Sequence, residues 1–235
     1  GTVDYYGAGQ TVAGGNYYNL LFSGLGGSYS IANDIDVANT FTITNGDVTV
    51  DDSVSLNLDS AITVLSPGTL TLENNSSLVQ TTFTGNNVGN VTVRRNTTPI
   101  VLDDFTYWSS PTNGTQTLHD FSPNTQNDKY FEYNNDWANV NAATTVFAPG
   151  IGYAIRAEGT WIPPGMPAVD DSLKFIGVPN NGTIDIPLTV RTSDGIGERL
   201  IGNPYPSAID ADAFINANLL GTGTINQTIT GTLYF

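Results

Sequence analysis

Phe41-Thr42-Ile43, Val48-Thr49-Val50, Val54-Ser55-Leu56-Asn57-Leu58, Ile62-Thr63-Val64 and Leu70-Thr71-Leu72 follow one another at intervals of a few residues, and this run decides the fold class. Each group alternates apolar and polar residues, the period-2 pattern of a strand with one buried face. Turn formers such as Asn45-Gly46 and Pro67-Gly68 mark the corners between them. Strand-plus-turn units of a sandwich run about 8–12 residues, and these groups recur faster. A parallel β-solenoid suits them: Ile, Val and Leu face inward and stack on their equivalents in the next coil, while Thr, Ser and Asp face out. A meander of short sandwich strands is the competing reading. The outward Thr rows do not form the regular ranks of an ice-binding face.

The pattern extends back to Val3-Asp4-Tyr5 and forward to about Gln80, so residues 1–90 are expected to form the solenoid. Residues 81–99 are a transition, and residues 91–235 are expected to form an antiparallel, jelly-roll-like β-sandwich; the fold class is all-β. Longer alternating groups support this: Lys129–Tyr133, Gly152–Arg156, Leu173–Gly177, Thr183–Val190, Arg199–Ile201 and Thr228–Phe235. Pro187 marks its run as an edge strand or a bulge. One short helix is expected near 207–217, after Pro206 and with Ser207 or Asp210 as its cap. The hinge Asp103–Pro111 separates the two architectures. Val91, Val93, Phe105 and Tyr107 are expected to cover the last coil at Leu70, Leu72 and Leu78, because an open solenoid end invites association.

Only 12% of the residues are charged and the net charge is −15. That balance argues against nucleic acid and anionic membrane as partners, since both need a basic face. No apolar run approaches the ~20 residues that span a bilayer, so no membrane insertion is expected. Residues 1–90 hold eight acids and no base, so their stability must come from packing and backbone ladders. Arg94-Arg95 brings the first positive charge, expected to meet Asp103 and Asp104. Cysteine is absent, which excludes disulfides and thiol chemistry. The chain starts without Met and stops within a strand-like run, so both ends look cut.

No constellation announces a catalytic chemistry. His119 is the single histidine, and no Gly-X-Ser-X-Gly elbow supplies a nucleophile. No cofactor is expected apart from a structural calcium ion, for which Asp34 and Asp36 offer hard oxygens; Asn and Asp as turn formers are the plainer reading. Aromatic residues cluster beyond the hinge. Tyr107, Phe131 and Tyr153 are expected in the core. Trp137, beside Asn135 and Asp136, and Trp161, before Ile162-Pro163-Pro164, lie in loop-like contexts and are the candidates for a ligand, with glycans as the ligand class.

Four segments, Asp104–Pro111, Phe147–Tyr153, Phe175–Gly182 and Leu200–Ser207, together resemble a module of large cell-surface proteins of Bacteroidota. The resemblance covers about 91–235 well and the first ninety residues in general style. It implies export by type IX secretion to the outer cell surface, in proteins of adhesin or gliding-associated type. It also implies O-glycosylation at Asp-Ser/Thr-aliphatic tripeptides, here at Ser53, Ser60 and Ser172. The expected partners are other domains of a longer chain, the secretion machinery and cell-surface components. The expected role is a non-enzymatic spacer, adhesion or assembly segment, with a carbohydrate-binding module of a polysaccharide-active protein as the alternative.

Eight acids without a base repel one another, so stability should rise with ionic strength. Thermal melts in NaCl and in CaCl2 at matched ionic strength check this. Equal upward shifts mean screening alone, a larger shift in CaCl2 means a bound ion, and no shift in either removes the repulsion.

Overall fold

The computed structural model describes residues 1–82, 85–187, 189, 193 and 197–218. It is almost all β, with a parallel β-solenoid of about four turns, an antiparallel sheet and little helix. The solenoid strands are β1 (Thr2–Tyr5), β2 (Gln10–Val12), β3 (Gly15–Phe22), β4 (Ser28–Ile31), β5 (Ile35–Ile43), β6 (Asp47–Val50), β7 (Ser55–Leu58), β8 (Ile62–Val64), β9 (Thr69–Leu72) and β10 (Ser77–Gln80). Ile35 lies beside Leu56 and Asp47 beside Thr69, so one turn takes 21 or 22 residues (35 to 56, 47 to 69). Two of the three faces run through the long strands. The first half of β5 pairs with β7 and its second half with β8.

Parallel pairing in this register puts like on like. Val12, Ile31, Val50, Leu72 and Val93 are successive partners in one column, and all are buried. Their outward neighbours Thr11, Ser30, Thr49, Thr71 and Thr92 form a hydroxyl column in the same register. The adjoining column, Ser28, Asp47 and Thr69, is broken by the aspartate. Corners need special backbone. Gly46 has φ +81°, and a β-carbon there would sit 2.7 Å from the buried ring of Tyr29.

Neutral donors from the neighbouring coil serve most of the unpaired acids. Asp4 accepts from Ser23 Oγ (2.8 Å), Asp34 from the Ser55 N–H (2.8 Å), Asp36 from Asn57 Nδ2 (3.0 Å), Asp47 from Thr69 Oγ1 (2.7 Å), Asp51 from Ser30 Oγ (2.9 Å) and Asp59 from Thr81 Oγ1 (2.6 Å). Hydrogen bonds to a charged acceptor are stronger than neutral ones, so each aspartate ties two coils together. Glu73 instead meets Arg94 at 3.3 Å. Arg94 and Arg95 therefore do not meet Asp103 and Asp104 as expected. Arg95 is drawn inward, donating to the carbonyls of Glu73 (3.2 Å) and Ser76 (2.8 Å), and burial lowers its pKa.

Strand β11 (Val91–Asn96) adds to β9 in parallel, and on its other side β17 (Ser172–Pro179) pairs with it antiparallel over six residues. The short strand β13 (Thr112–Asn113) completes this seven-stranded sheet beyond β17. A separate four-stranded sheet runs β12 (Phe105–Trp108), β16 (Tyr153–Arg156), β14 (Tyr130–Tyr133), β15 (Trp137–Asn139). Between the two sheets lies an aromatic core. Phe175 stacks on Phe121 at 4.5 Å, with Trp108 and Phe147 edge-on against Phe121 at 5.1 Å each. The sandwich thus takes its second layer from the solenoid's own sheet.

That arrangement corrects the expected cover. Val91 and Val93 are the last rung of the solenoid, and β17, not the hinge, lies against it. Phe105 and Tyr107 face solvent, because the alternation along β12 turns Trp108 inward. Helix α2 (Ala211–Asn218) fits the expected position, with Asp210 Oδ1 accepting the Ala213 N–H at 2.9 Å. A single helical turn, α1 (Leu118–Phe121), was not anticipated; Thr117 and Asp120 form a capping box around it. Arg199 and Ile201 make isolated bridges rather than a strand. Residues 183–187 pair in no ladder; Pro187 lacks an N–H, and Ile186 packs on the core instead. The expected strand Thr228–Phe235 lies outside the described residues.

Leu72→Ala, which opens a gap beneath Val93 in the Val12–Val93 column, should cost about 2–5 kcal/mol in urea denaturation. Thr71→Ala, one residue away on the outer face, should stay within about 0.5 kcal/mol. Equal costs would contradict the register.

Candidate functional site

Period-2 alternation sends every second residue of the four-stranded sheet outward. Register places Tyr107, Ala154, Phe131 and Asn139 in one row across its strands, with Tyr133 opposite Trp137 and Phe105 opposite Arg156. The outer face is therefore aromatic: Phe105, Tyr107 and Trp137 are 45%, 60% and 46% exposed, while Phe131 and Tyr133 are half-buried. Tyr107 belongs to β12 and Trp137 to β15, whose backbones lie about 14 Å apart at three strand spacings. Their ring centroids are nonetheless 6.2 Å apart with planes only 15° from parallel. Both side chains lean inward across the sheet, and the small, buried Ala154 leaves room beneath them.

The platform is braced from its sides. Tyr133 packs against Trp137 at 5.1 Å and donates its hydroxyl to Glu198 Oε2 at 2.9 Å. Phe105 meets Phe131 edge-on at 5.9 Å. Arg156 donates to Gln126 Oε1 at 2.7 Å and lies 3.5 Å from Asp103. Asp136 Oδ1 accepts the Trp137 N–H at 2.8 Å, and Asn139 Nδ2 donates to the Tyr130 carbonyl at 3.0 Å. Charged and amide groups therefore rim an apolar floor.

The structure brings together only part of the set expected from sequence. Trp137 lies on an edge strand, in the platform. Tyr107, expected in the core, joins it there, whereas Tyr153 is buried as expected. Asn135 is committed to structure: its Oδ1 accepts the Glu198 N–H (2.8 Å), its Nδ2 donates to the Thr189 carbonyl (2.8 Å), and its φ is +64°. Trp161 sits elsewhere, half-buried, with Nε1 donating to the Ile100 carbonyl at 3.2 Å. Near it, burial and the charge of Glu158 hold the Asp171 carboxyl above its usual pKa. Asp34 and Asp36 spend oxygens on Ser55 and Asn57. Among the described residues no three Asp, Glu or His side chains gather around a common point. Ser53 and Ser172 are exposed, and Ser60 is half-buried.

A cleft of about 440 Å³ lies at the junction of solenoid and sandwich, lined by Asn86, Asn87, Asn113, Asn180 and Asn181 among others. Asn87 accepts from the Ile62 N–H and donates to the Pro179 carbonyl, both at 2.9 Å. Asn180 donates to the Pro204 carbonyl at 2.8 Å and Asn181 to that of Thr82 at 3.1 Å. The Asn87 and Asn181 amides are joints between the two units and the Asn180 amide ties two sandwich segments together, which leaves the platform as the stronger surface.

Residues 27–235 match the family described as a domain of unknown function (DUF8693). The chain belongs to that family. The match begins at Gly27, directly before β4, so the first coil and the second half of β3 lie ahead of it. The family span includes the whole four-stranded sheet and its platform. No curated protein and no solved structure matches the chain.

Asn135 gives a test of the loop that positions Trp137. Asn135→Gly removes the side-chain hydrogen bonds and the β-carbon, whereas Asn135→Ala removes the same bonds and keeps a β-carbon at φ +64°. In urea denaturation both should fall below wild type, with Ala lower by about 1–2 kcal/mol.

Proposed function

We propose that the chain is a non-enzymatic segment of a secreted cell-surface protein, with the solenoid as spacer and the sandwich as its adhesive end. The observation that carries this reading is the exposed, braced aromatic platform of Phe105, Tyr107 and Trp137. Large exposed aromatics held in fixed positions are an uncommon use of a soluble surface and characteristic of contact sites. The β11 ladder supports the spacer half, because it joins the platform-bearing sandwich to the solenoid through continuous hydrogen bonding. The resemblance of Asp104–Pro111 and Leu200–Ser207 to modules of Bacteroidota surface proteins supports export by type IX secretion. In that setting the exposed Ser53 and Ser172 are the sites for O-glycosylation, and neighbouring domains or surface components are the partners. The alternative reading, a carbohydrate-binding module within a polysaccharide-active protein, draws on the same platform.

Beads carrying the native chain should be retained on an extracellular matrix containing both polysaccharide and protein. The double variant Tyr107→Ala, Trp137→Ala should lose retention by roughly tenfold or more, since each ring contributes about 0.5–1.5 kcal/mol beyond its buried area. Unchanged retention in a variant that melts like wild type would remove the platform from adhesion.

A further inference from the structure

We infer that the outer face of the four-stranded sheet binds a neutral glycan, with one pyranose ring seated on Trp137 and Tyr107. This rests on the adhesive reading above and names its ligand class. Three observations select the occupant. The first is size: three rings at about half exposure offer roughly 300 Å² of apolar surface. A stable interface with a second copy needs about 800 Å² from each partner, so the patch is too small for a dimer and suits one to three sugar rings.

The second observation is charge. The chain carries −15, and Asp136, Asp103 and Glu198 lie around the platform. A second copy, a nucleic acid or an acidic polysaccharide meets repulsion there, whereas a neutral polyol does not. Arg156 at the rim is already engaged by Asp103 and Gln126, and the nearby Arg199 donates to the Pro187 carbonyl.

The third is the mixture of surfaces. An equatorially substituted pyranose has C–H groups on its flat faces and hydroxyls around its edge. The platform has the complementary layout: rings in the middle, with the carboxylate of Asp136 and the amide of Asn139 beside Trp137. Trp137 neighbours the near-parallel Tyr107 at 6.2 Å and the tilted Tyr133 at 5.1 Å, whose hydroxyl is fixed by Glu198. Rings held in place before binding lose little conformational freedom on contact. Trp161 takes no part, because its indole is anchored to the Ile100 carbonyl in another region.

The test is calorimetric titration of the native chain with cellohexaose, xylohexaose and mannohexaose, with polygalacturonate as the charged comparison. The expected result is saturable binding of at least one neutral oligosaccharide and weaker or no binding of polygalacturonate. Tyr107→Ala and Trp137→Ala should each weaken binding tenfold or more, Trp137→Phe should retain part of it, and Trp161→Ala should bind like wild type. Near-ultraviolet circular dichroism of each variant checks that its core is intact. Binding that survives Trp137→Ala, or that is lost in a folded Trp161→Ala, would overturn the site. No saturable binding of any neutral oligosaccharide, while bead retention still depends on Trp137, would overturn the glycan assignment in favour of a protein partner and leave the adhesive role standing.

Discussion

Strand β11 is bonded in two incompatible styles at once, and the remainder of the molecule follows from that. Toward β9 it continues the parallel stack, contributing Val93 to the column that begins at Val12. Toward β17 it pairs antiparallel along its full length. A solenoid has no internal reason to stop, because each coil leaves an edge that matches another coil. Reversing the strand direction ends the repeat without leaving that edge open. The antiparallel strand then has two faces of its own, and Phe175 on the inner one nucleates the aromatic core on which the four-stranded sheet rests.

Electrostatics in the first ninety residues work by an unusual route. A chain segment with acids and no bases cannot build ion pairs within itself, yet most of its aspartates are satisfied. The coil repeat brings a Ser, Thr, Asn or backbone N–H into reach of six of the seven aspartates. Such bonds stabilise without requiring a counter-charge, and they reinforce the register that the apolar columns already impose. A slip by one residue would misplace both sets together.

Much of this was legible in the amino-acid order, and the misses have specific causes. Val48-Thr49-Val50 above Leu70-Thr71-Leu72 declares a stacked strand because inward and outward residues alternate cleanly at a constant interval. Helix α2 was visible through Pro206 and Asp210. Tyr107 was misplaced because alternation gives two faces without saying which is inner; the larger Trp108, one residue on, took the core. Trp137 and Trp161 looked alike in sequence, since a polar neighbourhood does not distinguish an edge strand from a corner anchored by a backbone carbonyl. The capping box Thr117-X-X-Asp120 was a readable signal for α1, overlooked because the surrounding residues carry no helical period. The pairing of β17 with β11 joins positions some eighty residues apart, and nothing local in either strand records it.

The direction of the hydrogen bonds in the solenoid has a mechanical meaning. Coil-to-coil bonds lie along the long axis, so tension applied end to end acts on them lengthwise. At any boundary between coils, three faces share that tension simultaneously, and the aspartate bridges add side-chain links in parallel with the backbone ones. Rupture must break a whole tier together rather than one bond after another. A filament tethered at a surface and pulled by flow would resist extension up to a threshold and then yield a coil at a time.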